Sequence, residues 1–198
     1  MKKYIPVMLL VVISFLCSCG KQDETKPVVT MKGKNPDTLI VKTVTTYNDP
    51  GCTAQDDIDG DVTSNIIVST NVNVNVVSYY LISYSVEDKA GNVSNKLTRR
   101  IEVITANGIY DASYNCTATA DSVVISSNNT YDTLTISNAY SSGASIKASL
   151  SGTTYIIYSQ PFLAGTITGT INASGTTLNV SFNLTSPVTS CTATFKKR

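Results

Sequence analysis

Asp56, Asp57, Asp59 and Asp61 form the densest set of chemically capable side chains in the sequence. In Asp57-Ile58-Asp59-Gly60-Asp61 the carboxylates alternate and a glycine turns the chain between them, which is how calcium loops bring oxygen ligands to one point. Asp57, Asp59 and Asp61 are therefore the candidate calcium ligands. The Glu that closes an EF-hand loop at its twelfth position is missing. An Asp-rich turn whose carboxylates accept backbone N–H bonds accounts for the same string. Glu87 beside Asp88 has the residue types for general acid–base work, but that chemistry needs two carboxyls roughly 5–10 Å apart in a cleft, and no neighbouring motif builds one. The chain has no histidine and no tryptophan. The first absence removes Ser-His-Asp and Cys-His catalysis and histidine-ligated metals. The second removes the broadest stacking surface for a sugar. A non-enzyme is expected, with no cofactor other than calcium.

The elements that position these groups start with an export signal. Lys2 and Lys3 precede an apolar run, Tyr4 to Leu16, too short to span a bilayer and remain there. The string Leu16-Cys17-Ser18-Cys19 that ends it resembles the lipobox of bacterial lipoproteins. The resemblance implies removal of residues 1–18 and acylation of Cys19, palmitate included. Several acyl chains, at about 0.8 kcal/mol per buried CH₂, would hold a folded domain to a membrane. An ordinary cleaved signal is the alternative. Residues 19–26 read as a polar, flexible tether. Lys21, Asp23 and Glu24 also resemble the surface-export signal of lipoproteins from anaerobic gut bacteria, against which stands a merely solvated tether.

Charged residues make up 15% of the chain and the formal net charge is +1, which excludes a nucleic-acid partner. In an oxidising compartment Cys52, Cys116 and Cys191 allow one bridge and one leftover. Cys116–Cys191 is favoured, because both fall in the C-terminal half, in what read as its first and last strands. Cys52 is then a small buried hydrophobe.

Residues 27–104 show short strands at regular spacing, the pattern of a β-sandwich. Val28–Lys32, Leu39–Val44, Ile66–Ser69, Val72–Val76, Tyr79–Glu87 and Leu97–Ile104 are the expected strands. Tyr80, Ile82, Tyr84 and Val86 share one face, opposite Ser83, Ser85 and Glu87. Asp88-Lys89-Ala90-Gly91-Asn92 turns the chain, with Gly91 suited to a left-handed position. Three strings, 48–54 (Asn-Asp-Pro-Gly-Cys-Thr-Ala), 56–63 (Asp-Asp-Ile-Asp-Gly-Asp-Val-Thr) and 84–92 (Tyr-Ser-Val-Glu-Asp-Lys-Ala-Gly-Asn), resemble the bacterial immunoglobulin-like domain of the DUF5011/Cry22Aa type. Cys52 departs from that pattern, which has a small Ala there. The resemblance implies a surface-displayed spacer or adhesion module.

Residues 108–198 are rich in Ser, Thr and Asn. Alternating runs at Ser122–Ser126, Tyr131–Ser137, Ile146–Leu150, Tyr155–Tyr158, Gly165–Ile171, Thr177–Leu184 and Cys191–Phe195 are separated by turn residues, predicting an antiparallel meander closed into a small barrel. Gly108-Ile109-Tyr110 at the start and Cys191-Thr192-Ala193-Thr194-Phe195 at the end resemble C-terminal domains of gut bacterial lipoproteins, some of them lipocalin-like. Ile156, Tyr158, Ile167, Ile171, Leu178, Val180, Phe182 and Leu184 form the bulky set expected to fill the interior, since leaving it in water is costly. Tyr155 and Tyr158 lie on opposite strand faces, so with Phe162 they make a poor sugar platform.

Asp37-Thr38-Leu39, Asp121-Ser122-Val123 and Asp132-Thr133-Leu134 resemble the acceptor of general O-glycosylation in anaerobic gut bacteria, with Thr38, Ser122 and Thr133 as acceptors. In a Ser/Thr-rich chain such strings also arise by chance. The expected protein is all-β, an immunoglobulin-like β-sandwich followed by a lipocalin-like antiparallel barrel. It is anchored by lipid to the outer membrane and exposed at the cell surface. Its expected role is to bind a polysaccharide or an envelope protein. The alternatives are a small-ligand carrier and a structural spacer in an envelope complex.

Overall fold

The computed structural model describes residues 22–116, 120–139, 142–186 and 188–198. Cys19 and the apolar run before it lie outside the described residues. Seven strands come first: β1 (Val28–Met31), β2 (Asp37–Ile40), β3 (Cys52–Asp56), β4 (Gly60–Asp61), β5 (Ile67–Ser69), β6 (Ser78–Ser85) and β7 (Leu97–Ile104). They make a three-stranded sheet ordered β1-β3-β4 and a four-stranded sheet ordered β2-β7-β6-β5, in which β2 runs parallel to β7. The described chain divides into two compact units. One holds residues up to Met31 with 52–67 and 84–96, and the other holds 32–51, 68–83 and 97–198.

In the first unit, β1 pairs antiparallel with β3, setting Val29 opposite Ala54. Ala54, Val62 and Val86 form a small core, with Val29 and Ile66 packed against it. Residues 22–26 have no regular structure and bond to the loops of this unit. Asn92 Nδ2 donates to the Asp23 carbonyl at 3.1 Å, and Thr25 Oγ1 donates to Asp57 Oδ2 at 3.3 Å.

The β6 alternation is as expected, with Ile82 and Tyr84 buried and Val86 buried beyond the strand end. Val72–Val76 is not a strand. Asn73 Oδ1 accepts the Asn75 N–H at 3.0 Å, a local bond that competes with a ladder. Strand β2 ends at Ile40 rather than Val44, because Lys42 turns the chain at φ 63° and Thr43 Oγ1 donates back to the Ile40 carbonyl at 2.6 Å.

Eight strands build the closed barrel: β8 (Gly108–Tyr114), β9 (Ala120–Ser127), β10 (Thr133–Ser137), β11 (Ile146–Ser151), β12 (Thr154–Phe162), β13 (Gly165–Ser174), β14 (Thr177–Thr185) and β15 (Val188–Lys197). Each pairs antiparallel with the next, and β15 returns to β8, setting Ala193 opposite Tyr114. Along β14, Leu178, Val180, Phe182 and Leu184 are buried while Asn179, Ser181, Asn183 and Thr185 are exposed. This apolar-in, polar-out arrangement is the reverse of a membrane barrel. Tyr114 meets the rings of Phe182 and Phe195 edge-on, with centroids 6.4 and 6.1 Å away.

Six of the eight residues expected inside are buried there: Ile167, Ile171, Leu178, Val180, Phe182 and Leu184. Ile156 and Tyr158 are not. Tyr158 is 62% exposed, and Tyr155 and Ile157 are buried in their place. Alternation from the inward Tyr155 and Ile157 turns Ile156 and Tyr158 outward, and a β-bulge follows. The pairing of β12 with β13 slips between Ile157 and Gln160, so the inward parity changes from Tyr155 and Ile157 to Phe162.

The Cys116–Cys191 disulfide is present, with Cα atoms 5.4 Å apart. Cys191 lies in β15 and Cys116 just beyond the end of β8, on adjacent chains of the barrel. Cys52 is buried and lies outside that bridge.

Candidate functional site

The acidic loop after β3 is shaped by its own carboxylates. Asp56 Oδ1 accepts the N–H groups of Ile58 and Asp59 at 3.0 and 2.8 Å, closing the turn that leads to Gly60 at φ 73°. Asp61 Oδ1 accepts the Thr63 N–H at 2.9 Å, where a single 3₁₀ turn begins. Thr63 Oγ1 in turn accepts the Ala54 N–H at 2.9 Å, which ties the loop to β3.

A second loop, 88–92, follows β6. Asp88 Oδ1 accepts the Asn92 N–H and Asp88 Oδ2 accepts from Asn92 Nδ2, both at 2.8 Å. Gly91, at φ 91°, supplies the left-handed residue of this turn. Burial works to raise the Asp88 carboxyl, but the bonds from Asn92, Gly91 and Ala90 outweigh it and hold the group below its ordinary range.

Asp59 joins the two loops. Its carboxylate accepts the Lys89 N–H at 2.7 Å and the Lys89 ammonium at 2.9 Å. The backbone bond from Lys89, then its side-chain bond, lowers the Asp59 pKa, and the same pairing raises that of Lys89.

The three carboxylates read from sequence as ligands are not brought together. Asp57 holds Thr25, Asp59 holds Lys89 and Asp61 holds Thr63. The acids that do converge are Asp23, Asp56 and Asp88, each with a carboxylate oxygen within 4.8 Å of the others. Asp56 is 8% exposed and Asp88 7%. Such a set of oxygens suits a hard cation. Asp56 and Asp88 both stand in strings that were legible as loops. Nothing in the sequence signals that two loops and the segment before β1 meet.

Other candidate residues are dispersed. Thr38 in β2, Ser122 in β9 and Thr133 in β10 are all half-buried. A separate open groove of about 430 Å³ is lined by Thr45, Tyr47, Asp49, Asn73 and Asn75 together with the apolar Val68, Val72, Val74 and Ile82. Tyr47 Oη donates to Asp37 Oδ2 at 3.0 Å, and burial together with this bond pushes its pKa up. Inside the barrel, the void among Tyr114, Ile136, Phe162, Val180, Phe182 and Phe195 measures about 10 Å³.

The strands and loops that carry the acidic cluster fall largely within one recognisable sequence family. Residues 29–103 match the family model described as bacterial surface protein, Ig-like domain. The Ig-like domain thus contributes Asp56 and Asp88, and Asp23 lies just ahead of it. No curated protein matches the chain. Among solved structures, the lipoprotein BT2262 from Bacteroides thetaiotaomicron aligns over 86% of this chain and 100% of its own, at 14% identity and a TM-score of 0.34. The structure of CBM51-2 in complex with GlcNAc and INT domains from Clostridium perfringens ZmpB aligns over 86% of this chain and 43% of that one, at 17% identity and a TM-score of 0.33. Similarity at this level carries no functional argument.

Proposed function

We propose that the chain is a non-catalytic, lipid-anchored protein of the bacterial cell surface, in which the Ig-like domain is a stalk and the protein binds a polysaccharide or an envelope protein. The observation that carries this reading is the match of residues 29–103 to an Ig-like domain of bacterial surface proteins. The Leu16-Cys17-Ser18-Cys19 string behind an apolar run supports the anchor. The open groove of about 430 Å³, where hydroxyl, amide and carboxylate groups stand among valines, offers a polyhydroxylated ligand both hydrogen bonds and apolar contact. The interior void of about 10 Å³ argues against the small-ligand carrier, because ligand pockets start near 300 Å³.

The test uses the full chain in detergent micelles, screened against bacterial polysaccharides, host glycoproteins and envelope extracts. Saturable binding of one class, weakened by Asn73→Ala and Asn75→Ala, supports the reading. Retention of nothing leaves the spacer role. For the anchor, Cys19→Ala should abolish lipid labelling and detergent-phase partition, and unchanged mass and partition would refute it. Mass spectrometry of protein from its native host tests Thr38, Ser122 and Thr133 as glycosylated residues.

A further inference from the structure

We propose that Asp23, Asp56 and Asp88 form a calcium site that clamps the segment leading to the Ig-like domain onto its two acidic loops. Three carboxylate oxygens lie within 4.8 Å of one another, and two of the three side chains are more than nine-tenths buried. The Asp56 carboxylate is used on one side only. Oδ1 takes the two loop N–H bonds, whereas Oδ2 is buried and has no hydrogen-bond partner among the described residues. A buried, unpartnered carboxylate oxygen is costly unless something positive meets it. The nearby ammonium of Lys89 is committed to Asp59 at 2.9 Å, which leaves the other three acids to a different cation.

The donor set is oxygen only, which selects a hard cation over zinc or copper. Calcium takes about six to eight oxygens in flexible geometry, which suits carboxylates drawn from three separate segments better than the near-ideal octahedron that magnesium demands. An open hollow of about 420 Å³ lined by Gln22, Asp23, Glu24, Thr25, Asp57 and Ile58 adjoins Asp23 and gives room for the waters that complete a calcium shell. Asp59 is a positioning residue here. By holding Lys89 it draws the 88–92 loop toward the loop of Asp56. The clamp does not depend on what the protein binds at the cell surface.

The experiment takes the full chain in detergent, strips it with EDTA, and follows heat of binding and thermal unfolding with CaCl₂ or MgCl₂ alone. The expected result is one calcium bound with a Kd on the order of 10⁻⁴ M, as in extracellular modules, and a rise in Tm on the order of 5 °C at saturating calcium. Asp56→Asn keeps an Oδ1 acceptor for the loop and should weaken calcium at least tenfold. Asp23→Ala, outside every strand, should do the same without loss of fold. Asp111→Ala, on barrel strand β8, should bind calcium like the parent. No heat and no Tm shift at 5 mM calcium would overturn the proposal. So would an equal response to magnesium, or calcium binding unchanged in both Asp56→Asn and Asp23→Ala.

Discussion

Arg99, with none of its side chain exposed, donates from Nε to Asp49 Oδ1 at 3.0 Å. Its two terminal nitrogens complete the fork, Nη1 donating to the Lys34 carbonyl and Nη2 to the carbonyls of Lys32 and Gly51. One guanidinium thereby holds the turns 32–34 and 49–51, where Gly33 sits so close to Pro50 that a Cβ would lie 2.8 Å from its Cγ.

Removing that fork leaves several buried acceptors without their donor. Arg99→Met should cost about 3–5 kcal/mol, read as a fall in the urea midpoint. Arg99→Lys should recover little of it, since an ammonium cannot reproduce the planar fork. A change below about 1 kcal/mol in both variants would show that the turns are held by other contacts.

Two tyrosines three residues apart on β12 face opposite ways. Tyr155 is buried and its hydroxyl donates to the Tyr131 carbonyl at 2.7 Å. Tyr155→Ala should lose about 3–5 kcal/mol, whereas Tyr158→Ala should stay within about 0.5 kcal/mol. Equal losses would contradict the inward placing of Tyr155 and the outward placing of Tyr158.

Gly169 is required by close approach. A Cβ there would stand 2.2 Å from the Ser181 carbonyl oxygen and 2.8 Å from Phe182 Cα, both backbone atoms of the paired strand β14. Gly169→Ala should therefore destabilise the barrel by about 1–3 kcal/mol. Gly152 has open space around it and a φ of 62°, so Gly152→Ala should cost only about 1 kcal/mol of backbone strain. Thermal unfolding of the two variants side by side checks the order.

Tyr110 and Tyr155 predict an alkaline limb. Burial pushes both hydroxyls up to about 12, with the charge of Asp132 adding to the effect at Tyr155. A folded pKa above the unfolded one means that this stability is fully present below pH 10 and is lost as pH rises toward 12. The slope is at most about 1.4 kcal/mol per pH unit for each tyrosine. Tyr110→Phe and Tyr155→Phe should each flatten the limb, and ultraviolet titration should show these two hydroxyls ionising after the exposed ones. Ionisation of all tyrosines near pH 10 in the folded protein would contradict the burial argument.

Much of the architecture was legible because its information is local. The run Leu97–Ile104 became β7 with the same limits, and the alternation through Leu178, Val180, Phe182 and Leu184 set the inward face of β14. In an antiparallel strand with one wet side, side-chain period alone dictates which residues seek the core. The cysteine pair was legible for a related reason, since first and last strands of a closing meander must become neighbours.

Tertiary structure decided what depends on two distant segments at once. The parity change at Ile157 and Gln160 reflects how β12 meets β13, and no single-strand periodicity can encode a slip in pairing. The acidic site shows the same limit. Asp57, Asp59 and Asp61 are neighbours in sequence, yet each turns to its own partner. Asp23, Asp56 and Asp88 are far apart in sequence and meet because Asp59 latches Lys89 and Asn92 holds the carbonyl of Asp23. Spacing along the chain determined which groups the loops contain, and pairing across the fold determined which of their oxygens face one another.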